Sequence, residues 1–300
     1  MHEPILQVTD LVRQYGDFTA VDNLSFEVRR GEIFGMLGPN GAGKSTTIRT
    51  IMGIFQPDSG RVRVLGTNPR AARHRVGYLP EERGLYRDLR VMEVLLYLAE
   101  LKGVGRKTAE KRARRWLVHV NLGDEADSRV KDLSRGMHQK LQFVASLVHD
   151  PELLILDEPF QGLDPINVSL IKNLIRDLAN AGKTIMLSAH EMSLVEALCD
   201  RILLMNKGRR VLYGELRSIK REYAAQTVRL VTPLVLEHIP GVTDITRQNG
   251  AYTLKLADET PPKAALQTLL EMNIPIEAYE VAAAPLEEIF ISLVEEDPTP

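Results

Sequence analysis

Apolar and polar positions along the chain fall into two rhythms. Short β-rich pieces run from Ile5 to about Phe26, and Glu32–Leu37 (EIFGML) is a buried-strand run ending at Gly38. Lys44–Ile54 has helical spacing and stops near the turn cluster Pro57–Gly60, ahead of a strand at Arg61–Leu65. From about Arg90 to Val118, Leu, Val and Ala alternate with Lys, Arg and Glu at helical spacing, interrupted by Gly103 and Gly105. This predicts a helical subdomain over about residues 88–150. Leu153–Leu156 and Thr184–Ser188 are two more apolar strands, separated by a helical stretch from Pro165 to about Ala181. Strand, helix, strand is the alternation of a parallel sheet, so this part of the chain is expected to be α/β.

Beyond Gly214 the rhythm changes. Strands are expected at Thr227–Val231, Val242–Thr246, Tyr252–Leu256 and Ile276–Val281, and helices near Lys263–Met272 and Pro285–Val294. The boundary is placed near Arg217 to Tyr223, giving an α/β domain over 1–218 and a small α+β domain over 219–300. No internal repeat is visible, and a short Pro-rich tail closes the sequence at Pro298–Pro300.

Size agrees with two domains, since 300 residues support one sizeable core and a satellite. Forty acidic against thirty-eight basic residues give a formal charge of −2. That balance supplies none of the positive field that phosphate-backbone binding needs, so nucleic acid is not expected as a partner. Cys199 is the only cysteine, which excludes an internal disulfide framework and fits a reducing compartment. The opening MHEPILQVTDLVRQYG does not read as a signal peptide, and apolar runs such as Val94–Ala99 fall far short of the ~20 residues of a membrane-spanning helix.

Chemistry is concentrated at a few places. Gly38, Pro39, Asn40, Gly41, Ala42, Gly43, Lys44, Ser45 and Thr46 read GPNGAGKST between a predicted strand and a predicted helix. Glycines there let the backbone wrap a phosphate chain, and N–H groups at the helix start point at the anion. Lys44 is expected to reach the β- and γ-phosphates of ATP, Ser45 to supply a hydroxyl to Mg²⁺, and Thr46 to serve the α-phosphate side. The strand Leu153–Leu156 ends in Asp157 and Glu158, at the carboxyl edge where parallel sheets bind ligands. Asp157 is the expected Mg²⁺ ligand, through water, and Glu158 the group that polarises the attacking water.

With these motifs in place, the chain resembles the nucleotide-binding subunit of an ATP-binding-cassette (ABC) transporter over roughly Ile5 to Gly214. The resemblance implies a P-loop ATPase fold with a helical subdomain, and roles for further residues. Tyr15 matches the aromatic on which the family stacks adenine. Leu133-Ser-Arg-Gly-Met137 occupies the signature position just before a helix, so Ser134 and the Gly136 backbone would contact the γ-phosphate of ATP held by a second ATPase subunit. Asp164, in Phe160–Pro165, would couple the two sites, and His190 would contact the γ-phosphate and orient the water. GYLPEERGLY, Gly77–Tyr86, is similar to a branch of bacterial exporters whose membrane-spanning subunit is a separate polypeptide, among them sodium-extrusion and drug-efflux systems. Glu82–Tyr86 would then meet that subunit at the cytoplasmic face of the membrane. The region from about Arg217 resembles the accessory domain of the same branch and carries no ligand cluster; it reads as a module that packs or dimerises.

The sequence departs from the family pattern at three positions. Arg135 and Met137 stand where the signature usually has glycine and an amide, and Arg135 either adds positive charge beside the γ-phosphate or faces solvent. Glu81 stands where many members carry Gln. A carboxylate still binds Mg²⁺ and water, but its charge beside a triphosphate is less favourable. Two other functions fit parts of the pattern: a soluble ABC protein of DNA repair or translation, and a binding-only subunit with a degenerate site. The lack of a basic surplus and of a long coiled-coil insertion speaks against the first. The presence of Lys44, Asp157, Glu158 and His190 speaks against the second.

Overall fold

The computed structural model describes residues 4–82, 84–222, 227–248, 250–257, 260–281 and 285–296. Arg83, Tyr223 and the Pro298–Pro300 tail, all within segments singled out above, lie outside the described residues. The chain divides into two compact units, Met1–Gly214 and Glu215–Pro300.

The first unit opens with β1 (Leu6–Tyr15) and β2 (Phe18–Val28), followed by β3 (Ile33–Leu37), α1 (Lys44–Ile51), β4 (Ser59–Val64), α2 (Pro69–Ala72) and β5 (Val76–Leu79). The helices α3 (Val91–Leu101), α4 (Arg106–His119) and α5 (Arg135–Leu147) pack on one another as a lobe. After them come β6 (Leu153–Asp157), α6 (Pro165–Asn180), β7 (Thr184–Ala189), α7 (Met192–Leu198), β8 (Arg201–Asn206) and β9 (Arg209–Glu215).

Two sheets result. One is antiparallel with order β2-β1-β4; the other has order β5-β6-β7-β3-β8-β9 and is parallel from β5 to β8. Strands β3, β6 and β7 are buried at every residue, which is why they read as continuous apolar runs: helices cover a parallel sheet on both faces. Alternate residues divide between the two faces. Phe34, Met36, Leu153, Ile155, Met186 and Leu203 join α1 and the antiparallel sheet in one core. On the opposite face α7 lies so close to β3 that a Cβ on Gly35 would fall 2.8 Å from Val195 and 2.9 Å from the Cys199 Sγ. Burial there pushes the Cys199 thiol well above its ordinary pKa, so it serves as packing and not as a nucleophile.

The expected helix at Lys44–Ile54 ends at Ile51, and Gly53 takes φ +62 in the turn that follows. The strand expected at Arg61–Leu65 is Ser59–Val64, because Leu65 turns to φ +53. The break between α3 and α4 falls at Gly103, with φ +82.

The second unit starts with α8 (Leu216–Glu222) and continues through β10 (Thr227–Val231), β11 (Val242–Gln248), β12 (Ala251–Leu256), α9 (Pro262–Glu271), β13 (Ala278–Val281) and α10 (Leu286–Glu296). Its sheet is antiparallel, with order β11-β12-β10-β13. Val228, Leu230, Tyr252, Leu254, Ala265 and Leu269 form a separate core. The strand expected from Ile276 starts two residues later, at Ala278.

Candidate functional site

The loop between β3 and α1 forms the floor of a cleft of about 360 Å³ lined by Tyr15, Phe18, Ala20, Asn40 to Thr46, Glu81 and Glu158. Its conformation requires glycine. Gly38, Gly41 and Gly43 have φ of +150, +82 and +98. A Cβ on Gly38 would run into the Met205 carbonyl oxygen, and one on Gly43 into that of Ala20. Neither obstacle is a flexible side-chain end, so Gly43→Ala must shift the loop and the start of α1. The expected result is a loss of ATP affinity of about tenfold or more, checked by calorimetric titration; unchanged affinity would show that this loop conformation does not matter for binding.

Lys44 is buried at the first position of α1 and donates from Nζ to the carbonyl oxygens of Gly38, at 2.7 Å, and Pro39, at 3.2 Å. Burial lowers its pKa, while Glu158, Asp157 and Glu81 counteract that by favouring the charged form. An ammonium so placed is aimed along the loop by backbone acceptors and stands near three carboxylates.

The two carboxylates after β6 are fixed by β7. The register pairs Asp157 with Ser188. The Ser188 hydroxyl donates to Asp157 Oδ1 at 2.6 Å and accepts from the Glu158 N–H at 3.0 Å. Burial raises the Asp157 pKa, opposed by hydrogen bonds from Ser188 and Ser45, while Glu81 raises it further. Glu158 adopts φ +50, an unusual conformation for a residue with a side chain and one that recurs at functional sites. It points one oxygen to within 3.9 Å of Lys44 Nζ and the other to within 2.9 Å of His190 Nδ1. A carboxylate can only accept, so with Glu158 ionised Nδ1 carries the proton in that contact. His190 follows β7 and is about half exposed.

Ser45, Asp157 and Glu81 were the expected metal group. Ser45 and Asp157 are hydrogen-bonded, and Glu81 acts electrostatically on both Asp157 and Lys44. A hydroxyl and carboxylates are hard oxygen donors of the kind Mg²⁺ takes. Among the described residues no cluster of three or more His, Cys, Asp or Glu could hold a metal unaided.

Tyr15 and Phe18 face each other across the β1–β2 hairpin, and both line the cleft. The Tyr15 ring has the Arg13 guanidinium 4.9 Å from its centroid and Phe55 edge-on at 6.1 Å.

Ser134, Gly136 and Asp164 do not line the cleft. Ser134 caps α5, accepting from the Met137 N–H at 3.3 Å, so Arg135, Gly136 and Met137 form the first turn of the helix and do not precede it. Gly136 lies beside Asn167 and Leu163. Asp164 caps α6 by accepting from the N–H groups of Ile166 and Asn167 at 3.0 and 2.9 Å, and these bonds hold its carboxyl below the usual range. Arg135 is exposed yet lies over Gly162 of the same chain, its Nε 2.7 Å from where a Cβ would stand. Two separate groups of predicted residues therefore exist on one chain. Gln142 of α5 links them, donating to the Glu82 carbonyl at 3.2 Å in the loop that carries Glu81.

Residues 21–161 match the family model described as "ABC transporter", and residues 214–294 match "ATP-binding protein DrrA1-3-like, C-terminal domain". The ABC transporter ATP-binding protein YhaQ of Bacillus subtilis is 37% identical over 97% of this chain and 98% of its own length. The Nod factor export ATP-binding protein I of Ralstonia nicotianae is 36% identical, over 97% of this chain and 94% of its own. A solved structure described as the ATP-binding subunit of an ABC transporter superposes with a TM-score of 0.69 at 33% identity, covering 73% of this chain and 93% of that one. Near-complete coverage of relatives at these identities is decisive, and with the phosphate loop and paired carboxylates in their expected fold it identifies the chain as an ATP-binding, ATP-hydrolysing subunit of the ABC transporter family.

Proposed function

We propose that this subunit powers export through a separately encoded membrane-spanning subunit, working in pairs at the cytoplasmic face of the membrane. Two ATPase chains close on two ATP molecules, each nucleotide lying between the cleft of one chain and the Ser134–Gly136 turn of the other. Tyr15 and Phe18 hold the adenine. The loop from Gly38 to Thr46 and Lys44 hold the triphosphate, and Ser45, Asp157 and Glu81 would share Mg²⁺ with it. The ion would supply charge neutralisation to the triphosphate. Glu158 polarises the attacking water, with His190 as its positioning partner, and hydrolysis releases the pair.

The observation that carries this reading is Glu158 itself, a lining residue of the cleft held at an unusual φ between Lys44 and His190. Separation of Ser134, Gly136 and Asp164 from that cleft supports a site completed by a second chain. Export is supported by the Nod factor exporter among the relatives. Peripheral attachment is supported by the fact that, among the described residues, no helix is long and apolar enough to cross a membrane.

Co-expression with a neighbouring multi-span protein tests the assignment. In a flotation gradient the chain is expected to rise with membranes when that protein is present and to stay behind without it. Behaviour independent of the membrane protein would contradict the proposal.

A further inference from the structure

A second recess, of about 390 Å³, shares no lining residue with the ATP cleft. One wall is α4, with Arg112, Arg115 and Trp116; another is α6, with Leu174, Asp177 and Leu178. Its remaining edge is made by Asp150, which precedes β6, and Lys183, which directly precedes β7. It therefore sits at the amino ends of the strands whose carboxyl ends lead to Glu158 and His190.

The chemistry of this recess is specific. Leu174 and Leu178 are buried and Trp116 half-buried, which gives it an apolar floor. Asp150 is already satisfied twice, by Lys183 Nζ at 2.6 Å and Arg112 Nη2 at 3.1 Å. Arg115 differs: it is exposed, it has no ion pair among the described residues, and its guanidinium lies 5.9 Å from the Trp116 ring centroid. Three cations, Arg112, Arg115 and Lys183, against two carboxylates, Asp150 and Asp177, leave a charge of +1 with His119 counted neutral. A polyanion would meet both carboxylates, and a neutral molecule would leave Arg115 without a counter-charge. The volume falls within the roughly 300–1,000 Å³ typical of small-molecule sites.

We propose that this recess binds a small amphiphilic monoanion, its apolar body against Trp116, Leu174 and Leu178 and its acid group on Arg115. Such a ligand bridges the helical lobe to the lead-in segments of β6 and β7, the two strands that carry the hydrolytic groups at their far ends.

Trp116 is the only tryptophan in the chain, so its emission reports on this recess alone. The full-length protein is titrated with phenylbutyrate, with neutral phenylbutanol and with the dianion phenylsuccinate, in the presence of saturating ATP, by Trp116 emission and by calorimetry. Phenylbutyrate is expected to bind saturably, at least tenfold more tightly than either comparison molecule. Arg115→Glu is expected to weaken it at least tenfold while Arg115→Lys retains it; the exposure of Arg115 makes both variants compatible with the fold, checked by circular dichroism. Absence of saturable binding by both methods, equal affinity for phenylbutanol, or an Arg115→Glu variant that binds as well as the parent would each overturn the proposal.

Discussion

Lys44→Ala is expected to weaken ATP binding by about 10²–10⁴-fold. Lys44 Nζ lies at hydrogen-bond distance from two loop carbonyls, 2.7 and 3.2 Å away, and is a donor that phosphate oxygens can engage. A hydrogen bond to a charged group contributes about 1.5–3 kcal/mol, and the side chain has two phosphates to serve. Removing it also leaves Asp157, Glu158 and Glu81 with no ammonium beside them at the place where a triphosphate must enter. Calorimetric titration with ATP measures the effect. Unchanged affinity would contradict the assignment of the loop.

Replacing Glu158 by Gln separates binding from hydrolysis. The amide keeps the size of the side chain and its place beside His190 but loses the carboxylate charge. General-base groups contribute about 10²–10⁴-fold, so steady-state phosphate release should fall by that order. ATP affinity should hold or improve, because a negative charge 3.9 Å from Lys44 has been removed from the side of a polyanion. Undiminished turnover would exclude Glu158 as the group that activates water.

How much of this was visible in the residues depended on where the determining contacts lie. The phosphate loop was legible because its requirement is local: Gly43 must take φ +98, and a strand and helix must flank it. Asp157 and Glu158 were legible because a fully buried strand ends at them. Ser188 was not. It sits inside an apolar strand, and its role comes from the β6–β7 register, which places it opposite Asp157. Phe18 was missed for a similar reason, since only the pairing of β1 with β2 sets it across from Tyr15. Strands β8 and β9 drew no expectation: β8 holds only a four-residue apolar run, residues 202–205, of a kind that periodicity alone does not assign. Arg135 shows the same limit at a single residue. Its position in the signature left solvent and phosphate as alternatives; the fold leaves it exposed and lays it over Gly162, a contact that the residues alone do not show.

The central claim is that the cleft is half of a site, with Ser134 and Gly136 belonging to the nucleotide of a second chain. Sedimentation of Glu158→Gln tests it most directly, because a variant that binds ATP without consuming it holds the closed state. With ATP and Mg²⁺ the account predicts the mass of two chains, returning to one chain when Ser134→Arg is added to the same variant. A one-chain mass with saturating ATP, or a pair that forms equally well without nucleotide, would contradict it.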